Sequence, residues 1–251
     1  MAILYVAADA AELKPFANYL TGLRPLKWPL AYAQEGILDG RRILLAANGA
    51  GPKLAAHAVE IAIRAVSAAD LGSSPLEAVL SVGYCGALDP NLQQNQIVVA
   101  TKVSEPSGGG IFDCVQLQAV SEVVSGVILS QDRIAVTAAD KAHLFQSGAV
   151  AVEMEAAGVA QRAKRAELPF GCIKVVSDRA DESFGFDLNL MRSSSGHIER
   201  GKIVLWALKR PTIVPELLRL RSRTGRAAQV LGEFLASCRV FAGSSDELSV
   251  S

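Results

Sequence analysis

Aromatic residues are scarce in this chain, at 6% of 251 residues with two tryptophans, and there are only three histidines. The 25 basic and 25 acidic residues cancel. A balanced charge with so few aromatics excludes a general nucleic-acid surface, which needs a cationic field and stacking platforms. Cysteine is limited to Cys85, Cys114, Cys172 and Cys238, with no CxxC pair. That scatter excludes a disulfide scaffold and a thiolate metal site, so neither metal nor cofactor is expected. No apolar run reaches the roughly 20 residues of a membrane-spanning helix. Asp9 and Glu12 interrupt the apolar start and no basic stretch precedes it, so a secretory leader is not expected and a cytoplasmic location is. What the chain does have is 50% hydrophobic residues, enough for one large α/β core.

Ile3 to Ala8 reads as a buried strand and Ala10 to Leu20 as the helix after it. Ala31 to Ile37 and Arg42 to Ala47 flank Asp39-Gly40, a hairpin signal. A helix follows from Lys53 to about Ala69. Ala78 to Val82, Gln96 to Val103, Ile134 to Val136, Ala149 to Val152 and Gly171 to Val176 read as further strands, with a helix from Ala156 to Glu167. From Ile198 onward the pattern is helical. Strands alternating with helices predict a three-layer α/β/α sandwich around a mixed, mostly parallel sheet. We expect one domain over residues 1–241 and a disordered tail over 242–251.

Ligands of such sheets gather beyond the carboxyl ends of the strands, and four polar segments fall there. They are Ala8 to Glu12, Gly83-Tyr84-Cys85-Gly86, Glu153-Met154-Glu155 and Ser177-Asp178. Each also has an ordinary explanation. Glu12 and the Glu153–Glu155 pair suit the acid-favouring first turn of a helix, Ser177-Asp178 suits a helix cap, and the glycines suit turns. The chemical alternative is a hydroxyl-rich ligand such as ribose. One carboxylate can accept from two neighbouring sugar hydroxyls while Met154 packs on the apolar sugar face. Asp178 at a partly dry strand end suits a proton donor, and Glu12 suits a base that activates water.

Taken together, Ala7-Ala8-Asp9-Ala10-Ala11-Glu12, Asn48-Gly49-Ala50-Gly51, Gly83-Tyr84-Cys85-Gly86-Ala87-Leu88, Val152-Glu153-Met154-Glu155-Ala156 and Val176-Ser177-Asp178-Arg179-Ala180-Asp181 resemble the purine nucleoside phosphorylase and nucleosidase superfamily. The resemblance runs from Met1 to about Asp181. It implies cleavage of a purine nucleoside, adenine favoured, at its N-glycosidic bond. Glu155 would then hold the ribose hydroxyls with Met154 beside the sugar. Asp178, oriented by Ser177, would protonate the purine N7, and Glu12 would activate the nucleophile. Glu153, Gly83, Tyr84 and Thr137 would complete the substrate-binding set.

Phosphorolytic members carry arginines in the first strand-exit loop and before the glycine turn. Here those positions offer Glu12, Ser81 and Val82, and a phosphate without an arginine fork is poorly held. Water is therefore the expected nucleophile, with phosphorolysis and a non-catalytic nucleoside-binding protein as the alternatives. The segment Val136-Thr137-Ala138-Ala139-Asp140 is shorter than the family's base-stacking loop and lacks its aromatic residue. Met191 to Gly196 and Leu208 to Leu218 look like the branch called hopanoid-associated phosphorylase or nucleosidase. That likeness implies a lipid-linked or 5′-substituted adenosine as substrate, and weak membrane contact through the basic segment 209–226. A small-molecule nucleoside substrate, a homo-oligomer with a dimer favoured and no nucleic-acid partner complete the expectation.

Overall fold

The computed structural model describes residues 2–68, 75–115, 117–118, 122–185, 187–191 and 214–240. Its elements are β1 (Ala2–Ala7), α1 (Ala10–Ala17), β2 (Thr21–Pro25), β3 (Tyr32–Leu38), β4 (Arg41–Ala47), α2 (Pro52–Ala68), β5 (Leu76–Ala87), β6 (Ile97–Ser104), β7 (Ile111–Asp113), β8 (Leu117–Gln118), β9 (Val124–Ser130), α3 (Ala138–Phe145), β10 (Ala151–Glu153), α4 (Ala156–Arg165), β11 (Phe170–Asp178), α5 (Val214–Ser237) and β12 (Arg239–Val240).

Every residue of β1 is buried, as its unbroken apolar run requires for a strand covered on both faces. Its alternating side chains feed two cores. Leu4 and Val6 point toward α2 and α4, joining Ala55, Val59, Val159 and Ala163. Ile3, Tyr5 and Ala7 point the other way, joining Phe16 of α1 and Leu231, Phe234 and Leu235 of α5. Those two layers of helix around one sheet are the expected α/β/α sandwich. Each large α5 side chain buried there contributes about 1.5–3 kcal/mol. The helix pairs meet at glycines. A Cβ on Gly158 of α4 would lie 2.0 Å from the Pro52 carbonyl oxygen, and one on Gly232 of α5 would lie 2.7 Å from the Phe16 nitrogen.

The sheet runs β10-β9-β6-β11-β5-β1-β4-β3-β2, with β7 on β6. It is parallel through β4, β1, β5 and β11, and antiparallel where β6 meets β11 and along the β2-β3-β4 edge. The β3–β4 turn sits on Asp39 and Gly40, both at positive φ, as the sequence implied.

One feature of the sheet was not legible in the sequence. β5 is twelve residues long, and its last residues pair antiparallel with β10, Ala151 opposite Ala87 and Val152 opposite Gly86. Because β10 also pairs with β9, the sheet curls back on itself and brings Glu153 beside the ends of β5 and β11. Gly83 to Gly86, expected as a strand exit, therefore remains strand.

Ile134 to Val136, expected as a strand, is a loop. Its backbone groups are claimed elsewhere: Ile134 exchanges two hydrogen bonds with the Asn189 side chain, and the Val136 carbonyl accepts from the Phe184 N–H at 2.9 Å. The first helix ends at Ala17 in tight turns through Tyr19 and Leu20 rather than continuing to Leu20. The expected helix from Ile198 is seen from Val214; residues 198–213 and the tail 242–251 lie outside the described residues. Among the described residues no helix is long and apolar enough to cross a membrane.

Candidate active site

Four polar segments singled out in the sequence converge on the carboxyl ends of β1, β5, β10 and β11. The first is built by a capping box. Asp9 caps α1, and Glu12 at the third helical position turns back so that its Oε2 accepts from the backbone N–H of Ala8 at 2.9 Å and Asp9 at 3.0 Å. Its Oε1 reaches across to the Tyr84 N–H at 3.3 Å. The helix-start explanation and the chemical one are thus both expressed in one side chain. Burial raises the Glu12 pKa above the ordinary carboxyl range, opposed by those N–H donors and by Lys174.

Glu12 is admitted by a glycine. Gly83 has φ +131°, and a Cβ there would sit 2.9 Å from Glu12 Oε1. Three residues on, a Cβ on Gly86 would sit 3.0 Å from Asp178 Oδ2. The two glycines of Gly83-Tyr84-Cys85-Gly86 therefore make room for two different carboxyl groups, one from β1's exit and one from β11's end. At about 3.3 Å rise per residue, the glycines stand roughly 10 Å apart along β5.

Glu153 and Glu155 separate into unlike roles. Glu153 is turned inward: its side chain has no exposure, its Oε2 lies 2.7 Å from Lys174 Nζ, and its oxygens accept from the N–H groups of Glu155 and Ala156 at the start of α4. The structure does not place it with the other candidate ligand groups. Glu155 keeps slight exposure and accepts from the Gly51 N–H at 2.9 Å, which explains the Asn48-Gly49-Ala50-Gly51 segment, since Gly49 and Gly51 both adopt positive φ.

Lys174, missed in the sequence because it sits inside the apolar run of β11, is wholly buried beneath these groups. Burial is the largest single influence and works against its charge, but Glu153, Glu155 and Cys172 together outweigh it and raise its pKa. Because Lys174 is committed to Glu153 and stands 3.9 Å from Glu155, it compensates Glu155 incompletely. Burial, with Glu153 and Glu12 adding to it against Lys174, pushes the Glu155 carboxyl up to about 7.

Asp178 Oδ1 lies 2.6 Å from Ser177 Oγ, which also lies 3.1 Å from the Cys85 carbonyl oxygen. Its Oδ2 lies 2.5 Å from Lys141 Nζ. Lys141 was also missed, although Thr137-Ala138-Ala139-Asp140 is a legible capping box. Thr137 caps α3, its hydroxyl accepting from the Asp140 N–H at 3.0 Å. Thr137 is exposed and its hydroxyl serves the helix. Met154 is half-buried beside Glu155. Tyr84 places its ring among the α1–α5 core and donates from its hydroxyl to the Thr224 carbonyl at 3.0 Å, so α5 borders the site. Among the described residues no group of three His, Cys, Asp or Glu side chains could hold a metal ion.

In a sandwich of this kind, carboxyl groups gathered at the strand ends mark the place where a ligand would bind. The sequence profile described as Phosphorylase superfamily matches residues 2–113 and 109–198, and the chain belongs to that family of enzymes. It is similar in fold to 5′-methylthioadenosine/S-adenosylhomocysteine nucleosidase from Neisseria meningitidis, at 20% identity and TM-score 0.69, over 94% of this chain and 97% of that one. The Helicobacter pylori nucleosidase of the same name is similar at 19% identity and TM-score 0.68, with the same coverage. Futalosine hydrolase from Helicobacter pylori is similar at 19% identity and TM-score 0.68, covering 94% of this chain and 96% of that one.

Proposed function

We propose that the chain hydrolyses the N-glycosidic bond of a purine nucleoside, adenine favoured, as the nucleosidases of similar fold act on adenine nucleosides. The observation that carries this reading is the pair Glu12 and Asp178, each seated against a glycine of β5, with Glu155 adjoining. Asp178 gives its proton to purine N7. The C1′–N9 electrons leave with the base, and C1′ becomes cationic. Glu12 takes a proton from water as the water oxygen bonds C1′. Ionised Glu155, which Lys174 compensates incompletely, and Glu12 favour positive charge on the sugar.

Water is favoured over phosphate because Glu12 occupies the first strand exit and no arginine stands in Ala8–Glu12 or Ser81–Gly86. Purified protein is incubated with adenosine, 5′-methylthioadenosine, S-adenosylhomocysteine and inosine, with and without phosphate. We expect free base and free sugar, equally fast in both buffers. A phosphate requirement with ribose 1-phosphate as product would make the enzyme a phosphorylase, and no free base from any of them would refute nucleoside cleavage.

Glu155 sets a pH dependence. As an ionised, acceptor-only group it receives both ribose hydroxyls. With its pKa near 7, the ionised fraction rises with pH through that value. The same shift makes the neutral form the one that folding favours. Its contribution to stability is therefore present below the ordinary value of 4.5 and is lost as pH rises through about 7. We expect kcat/KM for a ribonucleoside to climb with a midpoint near pH 7, and Glu155→Gln to lower activity and remove that limb. A limb unchanged in Glu155→Gln, or equal losses on ribo- and 2′-deoxyribonucleosides, would exclude Glu155 as the sugar ligand.

A lipid-linked or 5′-substituted adenosine as the particular substrate is supported by α5. Its residues 214–226 bury no side chain, in contrast to Ala227–Leu235, and they carry Arg219, Arg221, Arg223 and Arg226 with Leu218 61% exposed. The Thr224 carbonyl ties this half of α5 to Tyr84 at the site. A basic, partly apolar helix beside the site suits an anionic membrane surface. Co-sedimentation with anionic vesicles at low salt should be lost when Arg219, Arg221 and Arg226 become Gln, leaving Arg223 because it pairs with Glu182 at 3.0 Å. Absence of binding at low salt would leave a soluble nucleoside as the substrate.

A further inference from the structure

Lys141 is the only buried residue of α3, and it is wholly buried. Packing alone gives no reason for a lysine there, since an apolar side chain would avoid the cost of taking an ammonium out of water. Its three N–H donors are matched by three acceptors: Asp178 Oδ2 at 2.5 Å, the Arg179 carbonyl at 2.6 Å and the Glu182 carbonyl at 3.1 Å. The Phe184 ring covers it at 5.8 Å. The ammonium thus grips the candidate acid and the chain leaving it in one fixed geometry.

The two oxygens of Asp178 are thereby made unlike. Oδ2 faces an ammonium that can only donate, so a proton has no place there. Oδ1 faces Ser177 Oγ at 2.6 Å, and Ser177 has one hydrogen for two acceptor neighbours. When that hydrogen goes to the Cys85 carbonyl, which cannot donate, the serine oxygen is free to accept from a proton on Oδ1. Only one oxygen of the acid then carries a transferable hydrogen, held on Ser177 Oγ until a purine nitrogen competes for it.

We propose that Lys141 is the positioning residue of the acid: by occupying Oδ2 and both following carbonyls it confines the transferable proton of Asp178 to Oδ1. It keeps its own three protons throughout; the proton passed to the purine is that of Asp178. The role rests on the reading of Asp178 as the acid and adds a residue to it.

A double-mutant cycle tests this on whichever of adenosine, 5′-methylthioadenosine and inosine the wild type cleaves fastest. Lys141→Met should lower kcat by about 10-fold or more with KM within about 3-fold, a loss within the span of misdirected acid catalysis. In the Asp178→Asn background the same substitution should cost less than about 2-fold, since there is no proton left to direct. Losses that multiply in the double variant would make Lys141 a purely structural residue and overturn the proposal. Near-native turnover by Asp178→Asn alone would instead overturn the acid, and the role of Lys141 with it. Should the methionine variant fail to fold, Lys141→Gln, which keeps an N–H donor without the charge, runs the same cycle.

Discussion

If Asp178 is the proposed acid, Asp178→Asn should lower purine nucleoside turnover by roughly 10²-fold or more, the usual span for loss of a general acid. The change keeps the shape of the side chain and its hydrogen-bonding capacity, so the room left by Gly86 still holds it. What it removes is the proton that makes the purine a good leaving group. Binding should survive better than turnover, because the amide oxygen can accept from Lys141 while the amide N–H donates to Ser177 Oγ. Steady-state kinetics of base release on the variant check this. A variant that turns over at close to the wild-type rate would remove Asp178 from the chemistry.

On the same proposal, Glu12→Gln should stop hydrolysis while leaving the protein able to bind product adenine with near-normal affinity. The amide oxygen can still accept from the Ala8 and Asp9 N–H groups and so keep the start of α1 in place. The amide cannot take a proton from water, and that loss falls on the chemical step. Calorimetric titration with adenine separates the two effects. Affinity lost in proportion to activity would show that Glu12 serves the structure through its capping box and its contact with Tyr84, and does not serve as a base.

The two outcomes discriminate between the ordinary and the chemical explanations that the sequence left open. Glu155 stays beside Glu12; Glu153, two residues before it, is held by Lys174 and the start of α4. That difference has an electrostatic cause. Lys174 holds one carboxylate tightly, and the other, at 3.9 Å, keeps the raised pKa. A lysine replaced by an apolar residue here would leave Glu153 buried without a cation, a change that typically destabilises a protein strongly.

The sequence by itself determined the alternation of strands and helices, the Asp39-Gly40 hairpin and the polar strand ends at Glu12, Glu155 and Asp178, because each rests on neighbours within a few residues. Periodicity, turn chemistry and capping are local, and local signals survive in one dimension. The tertiary structure decided what depends on contacts far apart along the chain. It kept β5 extended past Gly83 by pairing it with β10, and it made a loop of Ile134–Val136 by giving its backbone to Asn189 and Phe184. It also assigned the two glycines of β5 to separate carboxyl groups, and it placed Lys174 and Lys141 beneath them. A lysine in an apolar strand or a short helix carries no mark of its partner. Only the closing of the sheet, which brings carboxylates within 3 Å of each ammonium, makes burying the charge tolerable and gives it a task.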